Sequence, residues 1–245
     1  MIRLIVCVVS VGLFFLVSLV LLPIEWLFGK ISPKTRDIHA LRIVQWMFRV
    51  VLFFSGTKIT VIGKERVPKD QAVLYIGNHR SIFDVVITYS MVPGLTGYVA
   101  KTELLRIPIL SSWMKLLHCL FLDRKDIRQG MKTILSAIEL VRNGVSIFIY
   151  PEGTRGKSEN VSEMLEFHEG SFRISTKTGC LIVPVAINHS SAILEDHFPR
   201  LKPTHVIVEY CEPIDPGKLT KEEQKRLGVK TRLMIQEKLL ANEAG

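Results

Sequence analysis

Hydrophobic and polar positions follow three regimes along this chain. Leu4 to Leu22 carries no charged residue. As a helix rising about 1.5 Å per residue, that run spans roughly 28 Å, near the hydrocarbon thickness of a bilayer. Ile38 to Phe54 is apolar but interrupted. On a helical wheel His39, Arg42, Gln45 and Arg49 fall within an arc of roughly 120°, with Ile43, Trp46, Met47, Val50, Val51 and Phe54 on the rest. That pattern describes either a helix lying among headgroups or an ordinary core helix at a domain edge, and both readings stand. After Gly56 the pattern turns to short β-rich runs bounded by turn residues: 58–62, 72–76, 98–100, 119–122, 145–150, 181–187 and 205–210. Helical patterns alternate with them, at 83–91 before Pro93-Gly94 and at 127–142 before Asn143-Gly144. Lys221 to Leu240 alternates charges at helical spacing, as a solvated helix does.

Strands alternating with helices predict an α/β fold with a partly parallel sheet flanked by helices, preceded by an N-terminal membrane-associated helical segment. The division expected is a membrane anchor over 1–54, with a helix at 4–22 and an amphipathic helix at 38–54, then an α/β domain over 55–245. In such a domain the loops after strand C-terminal ends carry the chemistry. A cleaved signal peptide would have a shorter apolar run and a small-x-small site, and none precedes Pro23-Ile24-Glu25-Trp26. A retained segment is therefore expected. Lys30, Lys34 and Arg36 follow it against Arg3 before it, which puts the following chain on the cytoplasmic face of the membrane.

Composition narrows the classes further. Of 245 residues 48% are hydrophobic and 22% charged, which excludes a disordered chain, and no internal period marks a collagen or a solenoid. The mean hydropathy of +0.28 fits a globular domain with a little membrane sequence. Cys7, Cys119, Cys180 and Cys211 are far apart, with no Cys-x-x-Cys pair, so they read as reduced thiols rather than a metal or disulfide framework. Thirty-two basic residues against 23 acidic ones leave a net charge of +9. Without zinc-finger spacing, an RNP-like run or a dense basic block, that charge points away from nucleic acid. It suits an anionic membrane surface and phosphorylated substrates.

Two loops hold the candidate chemistry. In Gly77-Asn78-His79-Arg80-Ser81-Ile82-Phe83-Asp84, a continuous helix would set His79 and Asp84 about 140° apart. If the chain turns first and Ser81 caps the helix, Asp84 falls in the first turn and reaches back to the imidazole. A histidine so held keeps one basic nitrogen free, as a general base requires. Alone, the same residues also describe a polar turn in which Asp84 only caps the helix. The second loop, Tyr150-Pro151-Glu152-Gly153-Thr154-Arg155-Gly156-Lys157-Ser158, superficially suggests a nucleotide P-loop, but Pro151 stands where that motif needs glycine. What remains is an arginine at a strand end, suited to a two-pronged grip on phosphate.

Together, Asn78-His79 with Asp84 and Glu152-Gly153-Thr154-Arg155 resemble the glycerolipid acyltransferase family. Leu120-Phe121-Leu122-Asp123-Arg124 and Ile182-Val183-Pro184-Val185-Ala186-Ile187 resemble two further blocks of it, and the four occur in the family's order over roughly 70–190. His118 stands where the third block often opens with glycine, and His168 where many members carry lysine. The resemblance implies a glycerol-3-phosphate acyltransferase-like fold. It implies acyl transfer from acyl-CoA or acyl-carrier protein to the sn-2 hydroxyl of lysophosphatidic acid, giving phosphatidic acid, with membrane lipids as surroundings. Another lysolipid, glycerol-3-phosphate, or a non-catalytic lipid-binding role are the alternatives. His79 is then the base and Asp84 its orienting partner. Arg124 and Arg155 are phosphate ligands, Glu152, Gly153 and Thr154 shape that loop, Lys101 is a further substrate contact, and Asn78 braces the turn within the substrate-binding set. No metal or cofactor is expected.

Overall fold

The computed structural model describes residues 1–244 apart from 124, 125, 157, 159, 161 and 162. Two helices open it, α1 (Ile2–Ile31) and α2 (Pro33–Ser55), joined at Ser32, whose side chain accepts the Thr35 N–H while Pro33 starts the second helix. They form an antiparallel hairpin. The Arg3 guanidinium donates to the Phe54 carbonyl at one end, and His39 Nδ1 pairs with Glu25 Oε1 at 2.5 Å near the other. α1 extends through Pro23 and exposes Val8, Leu13, Leu16 and Val20.

The hairpin is part of the core. Ala40, Leu41, Val44, Met47, Val51 and Leu52 of α2 and Cys7 of α1 are buried with Tyr75, Ile87 and Phe148 of the following domain. Gln45 is the buried member of the polar arc of α2, while His39, Arg42 and Arg49 are exposed. Gln45 donates to the carbonyls of Tyr89 and Val92, and Arg49 to that of Ser90. Those carbonyls end a neighbouring helix and need donors, while Trp46 and Phe53 of α2 stay exposed.

Seven strands follow: β1 (Lys58–Ile62), β2 (Leu74–Gly77), β3 (Thr96–Lys101), β4 (Leu120–Leu122), β5 (Ser146–Ile149), β6 (Ile182–Asn188) and β7 (His205–Tyr210). They form one sheet in the order β1-β7-β6-β2-β5-β3-β4, parallel throughout except for the antiparallel pair β6 and β7. Helices α3 (Phe83–Met91) and α4 (Pro108–Leu116) join the hairpin on one face. On the other lie α5 (Ile127–Arg142), α6 (Arg173–Thr178) and α8 (Leu227–Ala244). The charged C-terminal stretch divides into α7 (Lys221–Gln224), which carries a capping box between Thr220 and Glu223, and α8. β2, β3, β4, β5 and β6 run parallel, so the loops after all five open at the same edge of the sheet. The four cysteines are free.

Candidate active site

β2 ends at Gly77 in the middle of the sheet, and the next residue is fixed at once. Asn78 is fully buried, its amide donating to the Ile187 carbonyl at 3.0 Å and accepting the Ile187 N–H at 2.8 Å. Through both polar atoms Asn78 ties the end of β2 to β6.

The chain then turns through His79 to Ile82 into α3. Asp84 Oδ2 accepts from His79 Nδ1 at 2.9 Å, from the Arg80 N–H at 2.7 Å and from the Ser81 N–H at 2.8 Å. The carboxylate is buried, and it holds the imidazole and the turn in one geometry. With Nδ1–H donating to the Asp84 carboxylate, the free ring nitrogen of the neutral imidazole is Nε2. The helix begins one residue later than a Ser81 cap implies. Ile82 is the last residue before it, while the Ser81 hydroxyl accepts the Phe83 N–H at 3.0 Å.

Tyr150, just past β5, stacks on His79 with ring centroids 4.3 Å apart. Its hydroxyl lies 3.1 Å from Thr88 Oγ1, which also accepts the Tyr98 hydroxyl and donates to the Asp84 carbonyl. Burial, reinforced by the Asp84 charge, holds the Tyr150 phenol well above its usual range, so it stays a neutral platform.

The second loop folds against the first. Glu152 is buried, with Oε1 accepting the His79 N–H at 2.8 Å and Oε2 the Leu165 N–H at 3.0 Å. Burial pushes its carboxyl above the ordinary carboxylate range, against the two amides that pull it down. Glu152 therefore shapes the loop from inside. Gly153 adopts φ +71°, a left-handed conformation that favours glycine, and the Gly156 N–H returns to the His79 carbonyl at 2.8 Å. Thr154 and Arg155 lie on the exposed crest. Arg155 Nη1 donates to Glu195 Oε1 at 2.7 Å, and the Glu195 carboxylate also accepts the Ser81 hydroxyl and the Ile82 N–H.

Lys101 is the exposed last residue of β3, two strands from β2, with no ion pair among the described residues. Arg124 lies outside the described residues. A cavity of about 690 Å³ opens beside the second loop, with Val99, Leu122, Ile134, Ile138 and Ile149 as apolar walls and Tyr150, Gly153 and His168 at its edge. Arg142, Arg173 and Lys177 also line it. No cluster of metal-ligating side chains occurs among the described residues.

Tyr150 and Glu195 are the site residues that the sequence reading passed over. Tyr150 precedes a recognised block and looks like the apolar end of a strand. Glu195 is distant in sequence from every block and carries no local signal.

A sequence model of the Acyltransferase family matches residues 58–188. A 1-acyl-sn-glycerol-3-phosphate acyltransferase of Borreliella burgdorferi is 30% identical over 191 residues, 78% of this chain and 75% of that one. A protein of the same name from Salmonella typhimurium is 29% identical, over 68% of this chain and 66% of its own. A chloroplastic one from Arabidopsis thaliana is 28% identical, over 77% of this chain and 51% of its own. In three dimensions the chain resembles the 1-acyl-sn-glycerophosphate acyltransferase of Thermotoga maritima, with a TM-score of 0.79 at 22% identity over 99% of this chain and 98% of that one. The mixed sheet and the two N-terminal helices expected from sequence are those of the fold observed.

Proposed function

Because this chain belongs to the Acyltransferase family, we propose that it transfers an acyl group from a thioester to the sn-2 hydroxyl of lysophosphatidic acid, giving phosphatidic acid. The observation that carries the mechanism is the His79–Asp84 pair, 2.9 Å apart at the end of a central parallel strand. Nε2 of His79 takes the proton of the acceptor hydroxyl as its oxygen attacks the thioester carbonyl. The carbon–sulfur bond of the tetrahedral adduct then breaks, and the departing thiolate takes the proton from the imidazolium. Asp84 holds the neutral imidazole in the tautomer whose free nitrogen is Nε2 and stabilises the cation in between. General base catalysis of this kind contributes about 10²–10⁴-fold.

Arg155, half exposed on the crest of its loop, offers a planar fork to the acceptor phosphate. Arg124 and Lys101 carry the same role by resemblance. The apolar cavity takes the acyl chain, its volume lying within the roughly 300–1,000 Å³ usual for ligand pockets. The donor is acyl-CoA or acyl-carrier protein, both acidic, and a protein of net charge +9 attracts either.

The hairpin anchors the domain at the cytoplasmic face of the membrane. Both helices are long and apolar enough to enter a bilayer. Trp113 of α4 donates its indole N–H to Ser18, midway along α1, so the α/β domain reaches the middle of the hairpin. A helix pair bound along its side in this way seats in one leaflet, where a lysolipid acceptor already lies.

The test is transfer of a labelled acyl chain from acyl-CoA, and in parallel from acyl-carrier protein, to lysophosphatidic acid in vesicles. Wild type is expected to form phosphatidic acid and His79→Ala to lose about 10²–10⁴-fold. Equal product from the variant would remove His79 from the mechanism. Turnover on glycerol-3-phosphate or another lysolipid instead would correct the acceptor.

A further inference from the structure

Glu195 lies in a 3-10 turn, Glu195–His197, that follows β6. Three donors converge on its carboxylate: the Ser81 hydroxyl at 2.6 Å, the Ile82 N–H at 2.8 Å and Arg155 Nη1 at 2.7 Å. Two of them belong to the turn that carries His79, and the third is the guanidinium proposed to grip phosphate. Ser81 is the junction. Its N–H serves Asp84 and its hydroxyl serves Glu195, so the base and the arginine hang from one residue through two carboxylates.

We propose that Glu195 is a positioning residue for the acceptor phosphate, fixing the Arg155 guanidinium at a set distance from the His79 imidazole. The role rests on the reading of Arg155 as the phosphate ligand. Arg155 has 51% of its side chain exposed, and among the described residues Glu195 is its one hydrogen-bonded partner. An arginine on an exposed loop otherwise samples many rotamers, and holding one edge of its fork on a carboxylate aims the other edge outward. The carboxylate itself is set beforehand by Ser81 and Ile82. On glycerol the reacting hydroxyl and the phosphate sit on neighbouring carbons, so their separation is short. A base and an anchor held at a fixed spacing bind that acceptor in its reactive pose.

The pair with Arg155 is exposed on the arginine side, while the glutamate is partly buried and also held by Ser81 and Ile82, bonds that a glutamine can still accept. A change at Glu195 is therefore expected in the kinetics of the acceptor. The rival role, a carboxylate that competes with phosphate for the arginine, has the opposite sign: removing it would tighten acceptor binding.

The test uses the full chain in detergent micelles, with KM and kcat measured separately for lysophosphatidic acid and for the acyl donor. Glu195→Gln, nearly isosteric, is expected to raise the acceptor KM about tenfold and leave the donor KM and the unfolding midpoint within error. Glu195→Asp, which keeps the charge, recovers part of the loss. In an Arg155→Gln background Glu195→Gln adds nothing further, because the interaction it served is already gone. An acceptor KM that is unchanged or lower in Glu195→Gln, or additive losses in the double variant, would overturn the role. Wild type without turnover on any phosphorylated acceptor would remove the reading of Arg155 itself and this role with it.

Discussion

At Asp84 one oxygen serves three donors, and by accepting from Nδ1 it sets the tautomer of His79. Asp84→Asn preserves shape, and an amide oxygen in the Oδ2 place still accepts all three donors, but the negative charge that stabilises the imidazolium is gone. The expected result is a fall in kcat of about 10²–10⁴-fold with the unfolding midpoint little changed, read from paired kinetics and thermal melts. Glu152 gives a pH signature instead. Its folded-state value is raised above the ordinary 4.5, so the native state holds the proton more tightly than the unfolded chain does. The stability this contributes is full below about 4.5 and is lost as pH rises through the raised folded value. Denaturant unfolding from pH 4 to 8 should therefore show a falling component in wild type that Glu152→Gln lacks. An identical pH slope in the two proteins would exclude it. At this scale the motif residues were visible in the sequence, since the spacing of His79 and Asp84 allows only a turn-then-helix geometry to pair them. Asn78 was expected to brace the turn and Glu152 to shape its loop, but not their burial or partners, which depend on β6 and on Leu165, far along the chain.

Among the elements, most strands and helices follow directly from periodicity. β1, α3, α5 and β7 have the residues expected of them. α4 was not anticipated: its nine residues begin at Pro108 with an apolar stripe too short to separate from a loop. The entry to β4 shows how one position reconciles two demands. His118 has φ +57°, the conformation that a glycine would adopt without strain, and its Nε2 lies 2.8 Å from Asp37 of α2. The histidine accepts backbone strain in exchange for a tie between the hairpin and the sheet. His118→Ala should then destabilise more than His118→Gly, by about 1 kcal/mol, since both lose Asp37 and only alanine keeps the strain. Chemical denaturation of the two variants in the same detergent decides the order.

Over the whole molecule, the anchor and the domain are less separable than a boundary at residue 54 implies. Six apolar residues of α2 are buried against the sheet and α3. Gln45 supplies hydrogen bonds that the end of α3 would otherwise lack. A chain starting at residue 55 is expected to aggregate rather than give a soluble domain, which size-exclusion chromatography of the truncated protein would show. The full chain should float with anionic vesicles and be only partly released by salt. The exposed apolar face of α1 holds it after the basic charges are screened. Release by salt alone would count against insertion of the hairpin.

The amino-acid order by itself determined the alternation of strands and helices, the apolar entry and the four motif blocks. Each of these is written in neighbouring residues, through side-chain period, turn chemistry or short spacing. Tertiary structure alone decided what lies between them. It put five strand ends on one edge of the sheet, turned Gln45 of α2 inward, and brought Glu195 to a turn more than a hundred residues before it. Those contacts depend on strand order and on the packing of distant segments, and local sequence carries no record of either.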